Sequence, residues 1–267
     1  MALLGQTQTQ VPATSVNRSV VVLDPAHGGP DAGAKLGDQV LEKDVTLALA
    51  ARLRVVLTAA GFTVVSTREA DAFTPLPNDQ RAETANRAHA MACIVIHATG
   101  TGSGVHLYVS QLEPKDQPDQ TDDAEGEDRA PFQPTPWDSG QAESVAQSLH
   151  LQGDLATALG AAKLPVVTGR AALRPLDNLT CPAVAVEVAP LAVAGEDTTP
   201  VTDKDYQQRL AETMARALET WRSQANAAAA NAATAASEAK AAQAHAAAKA
   251  AAAADAAGAA AASGRTR

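Results

Sequence analysis

The chain has 267 residues, enough for one well-buried domain with extensions. Its 21 basic and 30 acidic residues give a net charge of -9, and the basic residues are scattered along the chain. A nucleic-acid surface needs clustered lysine and arginine, and base stacking needs aromatic residues, which make up only 3% here. We therefore expect no nucleic-acid partner. We also expect no transmembrane segment, because no apolar run is long enough to cross a bilayer.

Strands and helices are predicted in alternation from residue 19 to residue 222. Apolar, β-branched runs predict strands, and apolar residues three or four apart predict helices. The predicted strands are 19–23, 62–67, 92–97, 105–109 and 183–188. The predicted helices start at Glu42 (with a stop at Gly61), at Asp79 (a cap, with an end near Met91), at Gln141 (ending near Leu159) and at Asp203. The alternation predicts an α/β fold: a single domain with a twisted, mostly parallel sheet and helices on both faces.

Three segments do not fit this pattern. Residues 1–18 are predicted to be a polar N-terminal linker, which leaves the domain at 19–223. Residues 113–140 are acidic and rich in proline, and are interpreted as a solvated insertion. The alternative is a mobile flap over the cleft, on which a regulatory protein could act. The alanine-rich residues 224–267 are predicted to be a helical or disordered tail, because they have no apolar stripe with which to dock.

The two cysteines, Cys93 and Cys181, each lie in an apolar run. The favoured interpretation is a pair of buried thiols. A disulfide is the alternative, if the two strands are neighbours. Neither cysteine belongs to a Cys-x-x-Cys pair, so we do not expect a thiolate zinc site.

Four residues with metal- or proton-binding side chains lie at strand ends or at the start of a helix. His27 follows the first strand, Glu42 opens the first helix, His97 closes the third strand and Glu187 lies in the last. Two imidazoles and one carboxylate are ligands of the kind that a catalytic zinc takes, with water in the fourth position. A second carboxylate that is not a ligand can take a proton from that water. Each residue alone has an ordinary structural explanation, but ligands of α/β sheets bind at such strand ends.

The segments around these residues resemble the zinc-dependent N-acetylmuramoyl-L-alanine amidases of the type 3 family, which cleave peptidoglycan between muramic acid and the stem peptide. The matching segments are DPAHGGPDAGA at 24–34, EKDV at 42–45, the stretch from Thr67-Arg68 to Arg81 and Asn86, IHA at 96–98, and 182–187. The resemblance covers about residues 19 to 222 and is interrupted by the acidic insertion.

This resemblance implies that Zn²⁺ is held by His27, Glu42 and His97, and that Glu187 is the catalytic carboxylate. It implies that Arg68, Arg81 and Asn86 support the site. The implied substrate is peptidoglycan, and the implied location is the cell envelope, either periplasmic or secreted. The first residues do not read as a signal peptide, which leaves a cytoplasmic protein or a start downstream of a lost leader.

Several positions depart from the family pattern. Val95 and Thr99 replace a serine and an asparagine beside His97, and 188–191 read Val-Ala-Pro-Leu where the family has Gly-Phe and then Ser-Asn. These changes leave two alternatives open: a catalytically weak or inactive amidase-like cell-wall binding protein, and a zinc peptidase for another amide. His106 alternates within a predicted strand and could face the cleft, but the favoured interpretation places it in the core or on the surface.

Overall fold

The structure, a computed structural model, describes residues 17–114, 137–192, 195 and 197–263. Its strands are β1 (Asn17–Pro25), β2 (Thr63–Ser66), β3 (Ala90–Ala98), β4 (Val105–Ser110), β5 (Val166–Ala171) and β6 (Ala183–Val188). Its α-helices are α1 (Glu42–Ala59), α2 (Asn78–Arg87), α3 (Val145–Ala161) and α4 (Lys204–Ser263). Two 3₁₀ helices lie at Trp137–Glu143 and Leu176–Asn178. Residues 1–16 of the predicted linker and 115–136 of the predicted insertion lie outside the described residues, whereas Asn17 and Arg18 belong to β1. The proposed flap and its regulatory partner stay predictions.

The six strands form one sheet in the order β2-β1-β3-β6-β4-β5. The neighbours β2, β1, β3 and β6 run parallel, and β4 is antiparallel to β6 but parallel to β5. This confirms the predicted mostly parallel α/β sheet. The sequence did not predict β5, because this edge strand is largely exposed and interrupted by Gly169 and Arg170, so it lacks the apolar run of a buried strand.

Helices cover both faces of the sheet, as predicted. On the first face, apolar residues of the strands pack against α1, α3 and the start of α4; they include Leu23, Ile94, Ile96, Val186, Leu53, Leu155 and Leu210. On the second face, a smaller cluster joins the strands to α2 and the Leu176–Asn178 turn; it includes Val20, Val22, Cys93, Val95, Ala82 and Leu176. Side chains alternate along a strand, so His97 lies on the second face with Cys93 and Val95.

Two predicted helix starts are wrong. The helix α2 begins at Asn78, with Asp79 in its first turn, and ends at Arg87. His89 follows with a φ of 46°, which no α-helix can continue, and Met91 is buried in β3. The helix predicted from Gln141 begins at Val145. Gln141 lies in the preceding 3₁₀ helix, where its buried amide donates hydrogen bonds to backbone carbonyls near the start of β6.

The interpretation of Cys93 and Cys181 as free thiols is wrong, because they form a disulfide. Cys93 lies in β3 and is paired in register with Ala183, the first residue of the neighbouring strand β6. Cys181 comes two residues earlier, and its Cα lies 6.1 Å from that of Cys93, within the range of a disulfide. The deciding fact is that β3 and β6 are neighbours, which the sequence left open.

The chain divides after Arg222 into two compact units, Met1–Arg222 and Ser223–Arg267. The first unit contains the sheet. In the second, α4 runs to Ser263, and the side chains of 231–249 are exposed to solvent. Among the described residues, no helix combines the length and the apolar character that a bilayer crossing needs.

Candidate active site

The loop after β1 is held in place by two arginines. His27 has a φ of 62°, in the left-handed region that residues other than glycine rarely adopt. Arg81 donates hydrogen bonds to the carbonyls of Pro25 (2.9 Å) and His27 (2.6 Å). Arg68 donates to the carbonyls of Pro25 (2.9 Å) and Ala26 (2.9 Å). These bonds fix the backbone on both sides of His27 and so hold its unusual conformation.

A second set of bonds ties the same loop to α1. The Lys43 ammonium donates to the Gly29 carbonyl at 2.8 Å and to the Asp71 carboxylate at 2.6 Å, and the Gly29 amide donates to the same carboxylate at 2.6 Å. These bonds therefore connect the loop to the start of α1, where Glu42 lies.

His27, Glu42 and His97 come together into a group that could hold a metal ion. Their ligand atoms all lie within 4.8 Å of one another. Nε2 of His27 is 3.1 Å from Oε2 of Glu42, and Nδ1 of His97 is 2.9 Å from Oε1 of Glu42. Ligand atoms on a tetrahedral zinc with bonds of ~2.1 Å would be roughly 3.4 Å apart. The donor types and their spacing therefore fit a zinc ion.

The surroundings keep Glu42 ionised, the state in which a carboxylate binds a cation. Its side chain is only 7% exposed. Burial alone would raise the pKa of the Glu42 carboxyl, but hydrogen bonds from the two histidines and from the Ala34 and Ala98 amides outweigh it and hold that pKa well below its usual range. The pKa of His27 is raised, first by its hydrogen bond with Glu42, while burial opposes the rise.

Asp31 belongs to this site, although it was not among the residues predicted for it. Its Oδ2 lies 2.9 Å from Nδ1 of His27. A carboxylate can only accept hydrogen bonds, so Nδ1 of His27 donates to Asp31. Nε2, which faces Glu42, is then the nitrogen that can bind a cation when it carries no proton. The sequence contained a clue: Asp31 lies four residues after His27 inside the glycine-rich segment.

Gly33 shows how closely the loop backbone approaches the ligand group. Its φ is +65°, and a Cβ at this position would lie 2.6 Å from Cδ2 of His27 and 2.7 Å from Oε2 of Glu42. No side chain fits at such distances. Glycine is therefore required here both by its conformation and by the available space.

Glu187 lies beside this group in the sheet. In register, it is paired with His97 of β3 on one side and with His106 of β4 on the other. Paired residues on neighbouring strands point to the same face, so the three side chains form a row on the second face. Nδ1 of His106 lies 3.1 Å from Oε2 of Glu187. For His106 the core or the surface was favoured over a place facing the cleft, and the register of β4 against β6 places it against Glu187.

The row lies where the second face of the sheet is incompletely covered. His97, Glu187 and His106 have side chains that are 29%, 35% and 20% exposed, whereas Cys93 and Val95, earlier in β3, are buried. A polar cavity of about 140 Å³ opens at this end of the sheet and is lined by both His27 and His97. The two histidines of the ligand group are therefore accessible from solvent.

The profile of a family described as N-acetylmuramoyl-L-alanine amidase (Amidase_3) matches residues 21–220. This chain belongs to that family. The matched range contains the whole sheet after the first residues of β1, together with the four predicted site residues.

Individual relatives of the amidase family match shorter stretches. The germination-specific N-acetylmuramoyl-L-alanine amidase of Bacillus subtilis (strain 168) is 54% identical over 52 residues, which are 20% of this chain and 22% of that protein. The amidase AmiA of Escherichia coli (strain K12) is 42% identical over 86 residues, which are 32% of this chain and 29% of that protein. The matches thus span less than a third of either relative.

Among solved structures, the N-acetylmuramoyl-L-alanine amidase AmiC2 of Nostoc punctiforme is similar over most of its length. It has a TM-score of 0.52 and 25% identity, and the match covers 78% of this chain and 98% of that one. The fold described above is thus the α/β fold of amidase catalytic domains.

Proposed function

We propose that this chain is a zinc-dependent amidase that hydrolyses the bond between N-acetylmuramic acid and L-alanine in peptidoglycan. Family membership supports the reaction class. The observation that carries the zinc dependence is the convergence of His27, Glu42 and His97, whose ligand atoms lie within 4.8 Å of one another. Peptidoglycan is the substrate that this family description implies.

In this proposal each residue has a defined task. Nε2 of His27, the Glu42 carboxylate and an imidazole nitrogen of His97 bind Zn²⁺, and Asp31 orients the His27 ring through Nδ1. When bound, Zn²⁺ polarises the scissile carbonyl and lowers the pKa of water to about 7. The Glu187 carboxylate accepts a proton from the attacking water. It then delivers that proton to the alanine nitrogen as the C–N bond breaks.

The disulfide supports a location outside the cytoplasm. Disulfides such as Cys93–Cys181 persist in oxidising compartments and are rare where thiols are kept reduced. A periplasmic or secreted protein also meets its proposed substrate there, because peptidoglycan lies in the cell envelope.

Product analysis tests the reaction. The purified chain is incubated with muropeptides, and mass spectrometry is used to look for separated sugar and peptide products with a free alanine amino group. We expect a chelator to abolish the reaction and added Zn²⁺ to restore it. Activity retained in chelator would contradict the zinc dependence, and cleavage at a different amide would point to a zinc peptidase.

Substitution of Glu187 tests the proton transfer. Glu187→Gln keeps the size of the side chain but removes the base, so we expect full zinc content and loss of turnover. Glu83→Gln, on the exposed surface of α2, is the matched control and should behave as the wild type. Normal turnover by Glu187→Gln would remove this residue from the mechanism.

The alternative is an amidase-like protein that binds the cell wall without cleaving it. The departure from the family pattern at 188–191 favours it, because these residues follow the proposed base directly. In the structure, this segment also has packing roles: the Ala189 carbonyl accepts a hydrogen bond from Tyr206 at 3.0 Å. Binding to isolated cell walls without release of peptide, in zinc-loaded protein, would support this alternative.

A further inference from the structure

We propose that His106 is a positioning residue for Glu187, which holds the carboxylate in the orientation that proton transfer needs. This inference rests on the proposed function. It adds His106, to which the mechanism given above assigns no task. It is carried by the contact between Nδ1 of His106 and Oε2 of Glu187 at 3.1 Å.

The chemistry of the contact sets the direction of the hydrogen bond. The ionised carboxylate of Glu187 has only acceptors, so Nδ1 of His106 must be the donor. The neutral imidazole is therefore in its Nδ1–H form, with the lone pair on Nε2. One carboxylate oxygen is held by this bond, and the other remains available to a water molecule in the cleft.

The surroundings hold His106 in a fixed place. Its backbone is paired with Glu187 across β4 and β6. Gly102 passes the other edge of the ring: a Cβ there would lie 3.4 Å from Cε1 and 3.8 Å from Nε2 of His106. Gly102 has a φ of +82°, which lets the loop before β4 turn across the imidazole. The ring therefore lies between this loop and Glu187, with 20% of its side chain exposed.

Glu187 needs such a support because its own side chain is 35% exposed. A carboxylate with this much exposure has several accessible rotamers, and only some of them direct an oxygen at the attacking water. A shift of about 1 Å in a catalytic group can cost roughly 100-fold in rate. Without the His106 bond, we therefore expect kcat to fall about 10- to 100-fold, while KM and zinc content stay unchanged.

The test compares two substitutions in the zinc-loaded full chain. His106→Leu removes the donor, and we expect the fall in kcat. His106→Asn keeps an N–H donor near the place of Nδ1, so we expect it to recover most of that loss. His150→Asn, on the exposed surface of α3, is the matched control. A merely structural role would lower the melting temperature in both His106 variants without this difference in kcat.

A second measurement does not depend on turnover. Long-range ¹H–¹⁵N NMR spectra report which nitrogen of each histidine carries the proton. We expect the Nδ1–H form of His106 in the wild type and loss of this preference in Glu187→Ala. The proposal is overturned if His106→Leu keeps the wild-type kcat, if His106→Asn is as slow as His106→Leu, or if His106 is in the Nε2–H form. A wild-type chain without any amidase activity would instead refute the proposed function.

Discussion

Loss of the Cys93–Cys181 disulfide is expected to destabilise the first unit by about 4.6 kcal/mol. The bond joins residues separated by 88 positions, so it closes a loop that includes α3, β4 and β5. In the chain-entropy model, a crosslink over a loop of this size lowers the entropy of the unfolded chain by an amount worth about 4.6 kcal/mol at 25 °C. Since domains are typically stable by only 5–15 kcal/mol, this change is a large part of the total.

Urea unfolding followed by circular dichroism measures the effect. Each single variant, Cys93→Ala and Cys181→Ala, breaks the same bond, so each should lose nearly as much free energy of unfolding as the double variant. The m-value should rise, because an unfolded chain without the crosslink exposes more surface. A reducing agent should reproduce the loss in the wild type and leave the double variant, the matched control, unchanged.

Two results would refute this reasoning. Titration of two free thiols in the denatured but unreduced wild type would show that the bond is absent. Equal free energies of unfolding for the oxidised wild type and the double variant would show that the crosslink does not restrict the unfolded chain as the calculation assumes.

Three further predictions concern the ligand group and the core. Asp31→Ala removes the acceptor that orients His27, and zinc affinity, measured by competition with a chelator, should fall about 10- to 100-fold; unchanged affinity would mean that the ring is held without it. Gly33→Ala should abolish zinc binding because its Cβ would overlap the ligands, whereas Gly153→Ala, with nothing within 4 Å of the added Cβ, should bind zinc normally; zinc bound by Gly33→Ala would contradict the close approach. Burial raises the pKa of Tyr206 to about 12, so its contribution to stability is present below about pH 10 and is lost as the pH rises toward 12. Chemical denaturation should therefore show a fall in stability over this range that is smaller in Tyr206→Phe, by up to about 3 kcal/mol; identical pH profiles would contradict this.

The pattern of apolar residues along the sequence predicted the elements that are buried in a regular way, either on both faces or along one face. The strand β3 is apolar up to His97 because both of its faces are covered there, and its place in the chain was predicted within two residues at either end. The helix that starts at Glu42 has an apolar residue every three or four positions, and it was predicted with its correct start. The edge strand β5 has neither property. Its stability comes from its pairing with β4, which no local window of sequence contains.

The sequence by itself determined the alternation of strands and helices, and it pointed to His27, Glu42, His97 and Glu187 through their residue types and their places at strand ends. The tertiary structure alone decided which strands are neighbours. That order joins Cys93 to a cysteine 88 residues away and sets His106 against Glu187. Periodicity along the chain reports which side of an element is buried, whereas strand order depends on contacts between distant residues that leave no local pattern.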